Sequence, residues 1–337
     1  MGILPSQLQA SRGQVAAARA TVAVLNRDGL RHLDACIEAV LAQELEGGFE
    51  VVMVDNGSSD GSVAHVRQRF PRVRVIEAGR NLGFAAGNNL ALRELETEYG
   101  VLLNNDTRAR PGWLAALVAA ADSEPRAASV QAKLVFADRP AVIQSAGSLL
   151  LSDGSAGDRG AGEPDDGRYD RREEIFAACG AAALYRREAL AEAGLFDEGF
   201  FMYYEDTDLS WRLRLAGWKV LFEPGAVVEH VHAASSAAGS AFMRFHADRN
   251  RLLMVLKNAP LGFLLHSFAS LGRRAARPGS AQVGPAAGRS PSRVLLSFLG
   301  RAPAALVQRL RIRSRRKVAD AEILKWAYPR ERWDARS

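Results

Sequence analysis

What the chain lacks narrows its chemistry first. Only two cysteines, Cys36 and Cys179, occur in 337 residues. They are too few and too far apart for a zinc cluster or a disulfide framework, so a reducing compartment fits. Long apolar runs are missing too: Leu252 to Leu271 is interrupted by Lys257, Asn258 and Pro260, and Val294 to Val307 is short and broken. Neither reads as a transmembrane span. The first twenty residues hold no unbroken apolar core of the kind that directs export, and the expected location is cytoplasmic. The glycines of Arg80 to Asn89 (RNLGFAAGNN) are four apart, not at dinucleotide spacing, and no Gly-Lys-Ser/Thr phosphate loop exists. Nicotinamide enzymes and P-loop NTPases lose support accordingly.

What is present is a globular chain. It is 48% hydrophobic and 24% charged, with a mean hydropathy of −0.10, outside the ranges of disordered or multi-span proteins. Its charge is unevenly placed. After residue 260 stand 16 Lys/Arg against 4 Asp/Glu, and before it 28 against 34. The basic character belongs to a tail that ends in the run Arg309, Arg311, Arg313, Arg315, Arg316, Lys317. Apolar helices beside clustered arginines suit an anionic membrane surface, and a solvated helical tail is the alternative. Few aromatics interleave with the arginines, which sets nucleic acid below a membrane as partner.

The first hundred residues alternate. Ala20 to Asn26, Glu50 to Asp55, Val73 to Glu77 and Tyr99 to Leu103 are apolar runs of strand length. Helical periodicity lies between them, as in Leu30, Leu33, Ile37, Val40 and Leu41. This alternation predicts a parallel sheet covered on both faces. Further on come a strand over Ala132 to Phe136, a helix from Glu205 to about Gly217, and a strand-like Ala226 to Val228. The Gly/Asp/Arg-rich stretch from Asp153 to Arg172 reads as a mobile loop. Arg273 to Ser292 reads as a linker.

Ligands of open parallel sheets bind beyond the carboxyl ends of strands, which selects four places. Asn26 ends the first strand. Asp55 ends the second, either as a turn cap or as an acceptor for the donor edge of a base or a ribose. Asn104-Asn105-Asp106 offers hard oxygens, suited to a diphosphate-bound divalent ion or to capping the next helix. Glu205, Asp206 and Asp208 follow five residues rich in aromatics, where they would either complement a helix dipole or supply a general base. Arg212 and Arg214 read as surface partners of these acids. His230 and His232 share a strand face, as structural or metal-binding residues.

Taken in order, VAVLNRDG, EVVMVDNGSSDGS, RNLGFAAGNN, YGVLLNNDTRARPGWL, FAACGAAALYRREAL, GLFDEGFFMYYEDTDLSWRLRLAGW and the later Glu229-His230 resemble the family 2 glycosyltransferases. The likeness is greatest to the rhamnosyltransferase-like branch of bacterial cell-surface polysaccharide assembly. It implies an α/β GT-A fold with a mostly parallel central sheet over residues 18–255. A flexible leader, 1–17, would precede it and a helical basic tail, 256–337, would follow, with peripheral contact at the inner face of the membrane. The implied activity is an inverting, metal-dependent transfer of a sugar, rhamnose on thymidine diphosphate being the best guess, to a saccharide or lipid-linked acceptor.

By the same resemblance Asn26, Asp55, Asn81, Asn88, Asn104 and Asn105 line the nucleotide-sugar pocket, and Asp106 and His230 hold Mg2+ or Mn2+. Asp206, paired with Glu205, is the base, while Cys179, Gly180 and Trp211 face the acceptor. Asn104 replaces the first acid of the Asp-x-Asp motif, and Asn88 stands where many relatives carry arginine. A nucleotidyltransferase would carry a Gly-rich basic N-terminal loop, which is not seen. A non-catalytic nucleotide-sugar-binding module is disfavoured by the intact Asp106 and Asp206.

Overall fold

The computed structural model describes residues 18–231, 240–275 and 291–334. The leader, His232 and most of the Arg273 to Ser292 linker lie outside the described residues. Four apolar runs pair in parallel as β1 (Ala20–Asn26), β2 (Phe49–Asp55), β3 (Arg74–Glu77) and β4 (Tyr99–Asn104), in the order β3-β2-β1-β4. Helices α1 (Leu30–Leu41), α2 (Ser62–Arg69) and α3 (Gly83–Arg93) connect them. Successive residues such as Val22, Ala23 and Val24 are all buried. Helices cover both faces, so these strands read as unbroken apolar runs instead of alternating.

The next stretch comprises β5 (Thr107–Ala109), α4 (Trp113–Ser123), β6 (Ala127–Phe136), β7 (Ile143–Ser145), β8 (Ser148–Leu151) and β9 (Ala156–Asp158). It continues through β10 (Glu173–Glu174), β11 (Ala182–Arg186), α5 (Arg187–Ala193), α6 (Glu205–Leu215) and β12 (Lys219–His230). The main sheet runs β10-β12-β6-β11-β4-β1-β2-β3, with β5 added to β12 and β7 to β6. Only β11 breaks the run of direction along its centre, lying antiparallel to both β4 and β6. The expected α/β class with a mostly parallel sheet and C-terminal helices is the architecture present.

Residues 153–172 correct the expectation of a mobile loop. Ala156–Asp158 forms a hairpin with β8, and Lys133, itself buried, reaches Asp165 at 2.8 Å and Asp170 at 2.6 Å. A buried ammonium needs such partners, so the polar residues that looked like loop composition are recruited by Lys133.

The tail is likewise no appendage. Helices α7 (Ala241–Asn258), α8 (Leu261–Ala275), α9 (Pro291–Arg315), α10 (Asp320–Leu324) and α11 (Arg330–Asp334) follow β12. The expected boundary between 255 and 256 therefore falls inside α7. Leu252, Leu253, Met254 and Val255 pack with Phe176, Phe200 and Trp211 in one apolar cluster that Phe298 and Ala305 of α9 complete. Arg309 donates to the carbonyls of Leu256 and Ala259, each at 2.7 Å, and Arg313 to that of Asn258 at 3.0 Å. Part of the basic run thus caps the carbonyls that end α7. A short strand, β13 (Ala327–Tyr328), returns to pair with β8.

Candidate active site

Polar residues converge where β1, β2 and β4 end. Asn105 Nδ2 donates to Asn26 Oδ1 at 2.6 Å, and Asn26 Nδ2 donates to Ser58 Oγ at 3.1 Å. Gly29 is required beside them, since a Cβ there would lie 1.8 Å from Asn105 Nδ2. Asp55 is buried, and its Oδ2 accepts from the backbone N–H groups of Gly57 and Ser58. Its Oδ1 is buried without a hydrogen-bond partner, and a buried acceptor left over in this way suits a donor brought by a ligand. Asn81 Oδ1 accepts from Gly83 N at 2.9 Å, and Asn56 links to both Asn81 and Gly83, so the Arg80 to Asn89 segment is held against the end of β2. Asn88 is buried on α3 and turns its amide back to the carbonyl of Phe84 at 3.0 Å.

The acid that follows β4 meets the end of β12. Asp106 Oδ1 lies 3.1 Å from His230 Nε2, and Gln144 Oε1 lies 2.7 Å from the other ring nitrogen, Nδ1. The backbone explains the meeting, because β5 pairs with β12 with Thr107 opposite His230, and Val231 N donates to the carbonyl of Asp106. Gln144 can accept the Nδ1 proton and so aim Nε2 at the carboxylate. An imidazole lone pair facing a carboxylate is favourable when a proton or a cation sits between them. One carboxylate and one imidazole, both buried, fit a small divalent ion that takes the rest of its shell from water and phosphate oxygens. Among the described residues no cluster of three or more His, Cys, Asp or Glu forms a fuller cage.

Asp206 stands at the start of α6. Its Oδ2 accepts from Gly180 N at 3.1 Å and its Oδ1 from Thr207 N at 2.6 Å. Burial pushes its carboxyl above the usual range, against the pull of these backbone donors. Glu205 is raised well above it, first by burial and then by repulsion from Asp206, and its Oε2 has no partner. Of the pair, Glu205 is the more strongly raised. Continuity of the wall with Asp106 comes through the sheet. Asn104 N donates to Ala181 O at 2.9 Å, beside the Gly180 that binds Asp206. Cys179 is half-buried on that wall, and burial, then Asp206, raises its thiol well above the ordinary value, so it stays neutral.

Asp158 is the residue that sequence reading missed. It ends the β9 hairpin opposite Ser148, bonds Ser145 and feels the charges of both Asp206 and His230. Burial of the carboxyl, then Asp206, pushes it up to about 6. No local motif marks it. The only signal was a carboxylate one strand away from Ser145, visible once the hairpin is formed.

Three other expectations change. Trp211 is fully buried, edge-on to Phe176 and Phe263, so the expected acceptor contact is not open to it: α6 is enclosed on every side. Asp208, also fully buried, pairs with Arg212 and Lys257 and lies away from the opening. Arg212 and Arg214 are no surface partners either. The first binds Asp208 and the carbonyls of Ala193, Gly194 and Leu195, and the second binds Glu174 and the carbonyls of Ile175 and Phe176.

Comparison with known proteins then assigns the family. Residues 21–194 match Glycosyl transferase family 2, and the chain belongs to that family. The N-acetylglucosaminyl-diphospho-decaprenol L-rhamnosyltransferase of Mycobacterium tuberculosis is 32% identical over 225 residues, covering 60% of this chain and 73% of the relative. Among solved structures, GalNAc-T7 with UDP, GalNAc and Mn2+ has a TM-score of 0.66 at 15% identity. That match covers 95% of this chain and 57% of GalNAc-T7. The mannosyltransferase PcManGT of Pyrobaculum calidifontis, with GDP-Man and Mn2+, has a TM-score of 0.52 at 18% identity, covering 89% of this chain and 86% of that one. These likenesses establish the GT-A fold.

Proposed function

We propose that this glycosyltransferase moves a sugar, rhamnose being favoured, from a nucleotide diphosphate to a lipid-linked saccharide on the cytoplasmic side of a membrane, with inversion at the anomeric carbon. The observation that supports the reading is the Asp106–His230 pair, linked through Asp158, which feels the charges of both His230 and Asp206, to the carboxylate at the start of α6. The mycobacterial relative, a rhamnosyltransferase whose name specifies a diphospho-decaprenol acceptor, supports the choice of sugar and acceptor.

In this reading Asn26, Asp55, Asn81 and Asn105 hold the nucleoside, with the leftover Asp55 Oδ1 accepting from the base or ribose. Asn88 and Asn104 belong to the same pocket through its frame. Asp106 and His230 hold Mg2+ or Mn2+, and the bound ion would neutralise the charge growing on the diphosphate. Asp206 takes the proton of an acceptor hydroxyl. The freed oxygen bonds to the anomeric carbon from the face opposite the diphosphate, whose bond to that carbon breaks with its electron pair. The nucleotide leaves as the diphosphate and the sugar is inverted. The raised affinity of Asp206 for a proton makes it a better base, and Gly180 and Thr207 fix its direction. Cys179 and Gly180 line the acceptor side. A tail contact with the membrane would bring this cleft to a lipid-linked acceptor.

The test is a panel of nucleotide sugars with polyprenyl-diphospho-N-acetylglucosamine, following nucleoside diphosphate release with Mn2+ or with chelator. Thymidine diphosphate rhamnose is expected to give acceptor-dependent release. Release that ignores the acceptor, or transfer from no donor in the panel, overturns the reading.

A further inference from the structure

Among the described residues, α8 and α9 carry eight of the eleven exposed large apolar side chains. Such concentration on a surface marks a contact. At 3.6 residues per turn α9 divides into three faces. Phe298 and Ala305 are buried toward α7, and Phe268 of α8 packs edge-on to Phe298 at 5.5 Å between ring centres. Leu295, Leu299, Leu306 and Leu310, widened by Leu296 and Val307, form a second face that is 47–72% exposed. Arg293, Arg301, Arg311 and Arg315 form the third, all exposed, and none has a carboxylate partner among the described residues.

We infer that this apolar face is a docking surface for an anionic lipid bilayer, lying in the plane of the headgroups with the arginine face reaching up to phosphates. No described helix is long and apolar enough to cross a membrane. An exposed apolar stripe with a basic flank is the pattern of a helix that lies on one. The long arginine side chains extend from the helix to the headgroup level while the leucines enter the acyl boundary. Charge points to an anionic bilayer as the occupant, since anionic headgroups complement the four exposed arginines. Of the basic run only Arg311 and Arg315 take part, because Arg309 and Arg313 reach inward to α7 and Arg316 and Lys317 pair with Asp320 and Glu192. This deepens the reading above, on which it rests only for the idea that the acceptor is lipid-linked.

The test is flotation of the full chain with vesicles of phosphatidylcholine alone or mixed with phosphatidylglycerol. The chain is expected to float with the mixed vesicles, to float poorly with the neutral ones, and to be released by salt. The double variant Arg311→Gln/Arg315→Gln is expected to lose about fivefold in binding per charge removed on mixed vesicles only. Leu296→Gln/Leu299→Gln should weaken binding to both. Melting temperatures report folding, and the salt dependence of the unaltered chain needs no variant. Recovery with neither vesicle, or equal recovery with both, overturns the inference. So does a leucine-dependent dimer that ignores vesicles. Diphosphate release from a soluble acceptor analogue, measured without vesicles, tests the transferase reading separately.

Discussion

Lys257 Nζ lies 2.9 Å from Asp208 Oδ2 with both side chains almost wholly buried, two residues along α6 from Asp206. Asp197 accepts from the same ammonium at 2.7 Å, and Asn258 donates to the other oxygen of Asp208. The helix that presents the proposed base is thereby bolted to α7.

Lys257→Met leaves Asp208 with Arg212 but takes the ammonium from Asp197, so it is expected to cost up to about 3–5 kcal/mol of stability, and pairing it with Asp197→Asn should recover part of that. Denaturant melts of the three variants check this, and equal stability of Lys257→Met and the unaltered chain refutes it.

Asp206→Asn should lower turnover by about 10²–10⁴-fold while leaving donor affinity unchanged. Glu205 is raised further than Asp206 and its buried Oε2 has no partner, so Glu205→Gln should lose far less. Turnover and calorimetric binding of the donor separate the two. The reverse ranking would transfer the base to Glu205.

The pH dependence has a fixed sign. A general base works deprotonated, so kcat/KM should rise with pH, through an apparent pKa above the ordinary carboxylate range because Asp206 is raised by burial. Asp158 is pushed up to about 6 by burial and then by Asp206. Asp206→Asn removes that repulsion and should lower the Asp158 carboxyl's titration, read by NMR. A carboxyl that titrates unchanged, or higher, excludes coupling between the two.

Asp106→Ala and His230→Ala should each bring nucleoside diphosphate affinity measured with Mn2+ down to the level seen with chelator. Titration of Mn2+ by electron paramagnetic resonance reads the same loss directly. Full Mn2+ binding in both variants would place the ion elsewhere.

The first half of the fold was legible because doubly covered strands need continuous apolar runs, and β1 begins and ends where the Ala20 to Asn26 pattern does. Helix α1 coincides with its stripe from Leu30 to Leu41. The site was legible where residues sit at strand ends. It was opaque where tertiary contacts assign roles. Asp158 looked like loop composition until the hairpin carried it to Ser145, and Trp211 looked available because nothing in EDTDLSWRLRL shows that helix to be enclosed. Arg212 and Arg214 looked like surface partners of nearby acids because the buried carbonyls they also bind, beside Asp208 and Glu174, leave no trace in a sequence.

Before α6 the backbone takes positive φ at Phe201, Tyr203 and Tyr204, at 67°, 71° and 69°, and each such residue costs on the order of 1–3 kcal/mol. One side chain offsets this: Asn250 Nδ2 reaches the carbonyls of Phe200, Met202 and Tyr203 at 2.8–2.9 Å. Chimeras that exchange sugar or acceptor preference between relatives must therefore carry the crossover point past residue 258. A graft ending at β12 would import the aromatic turn without the amide that keeps it coiled, and a recombined gene would encode a correctly spelled aspartate aimed in the wrong direction.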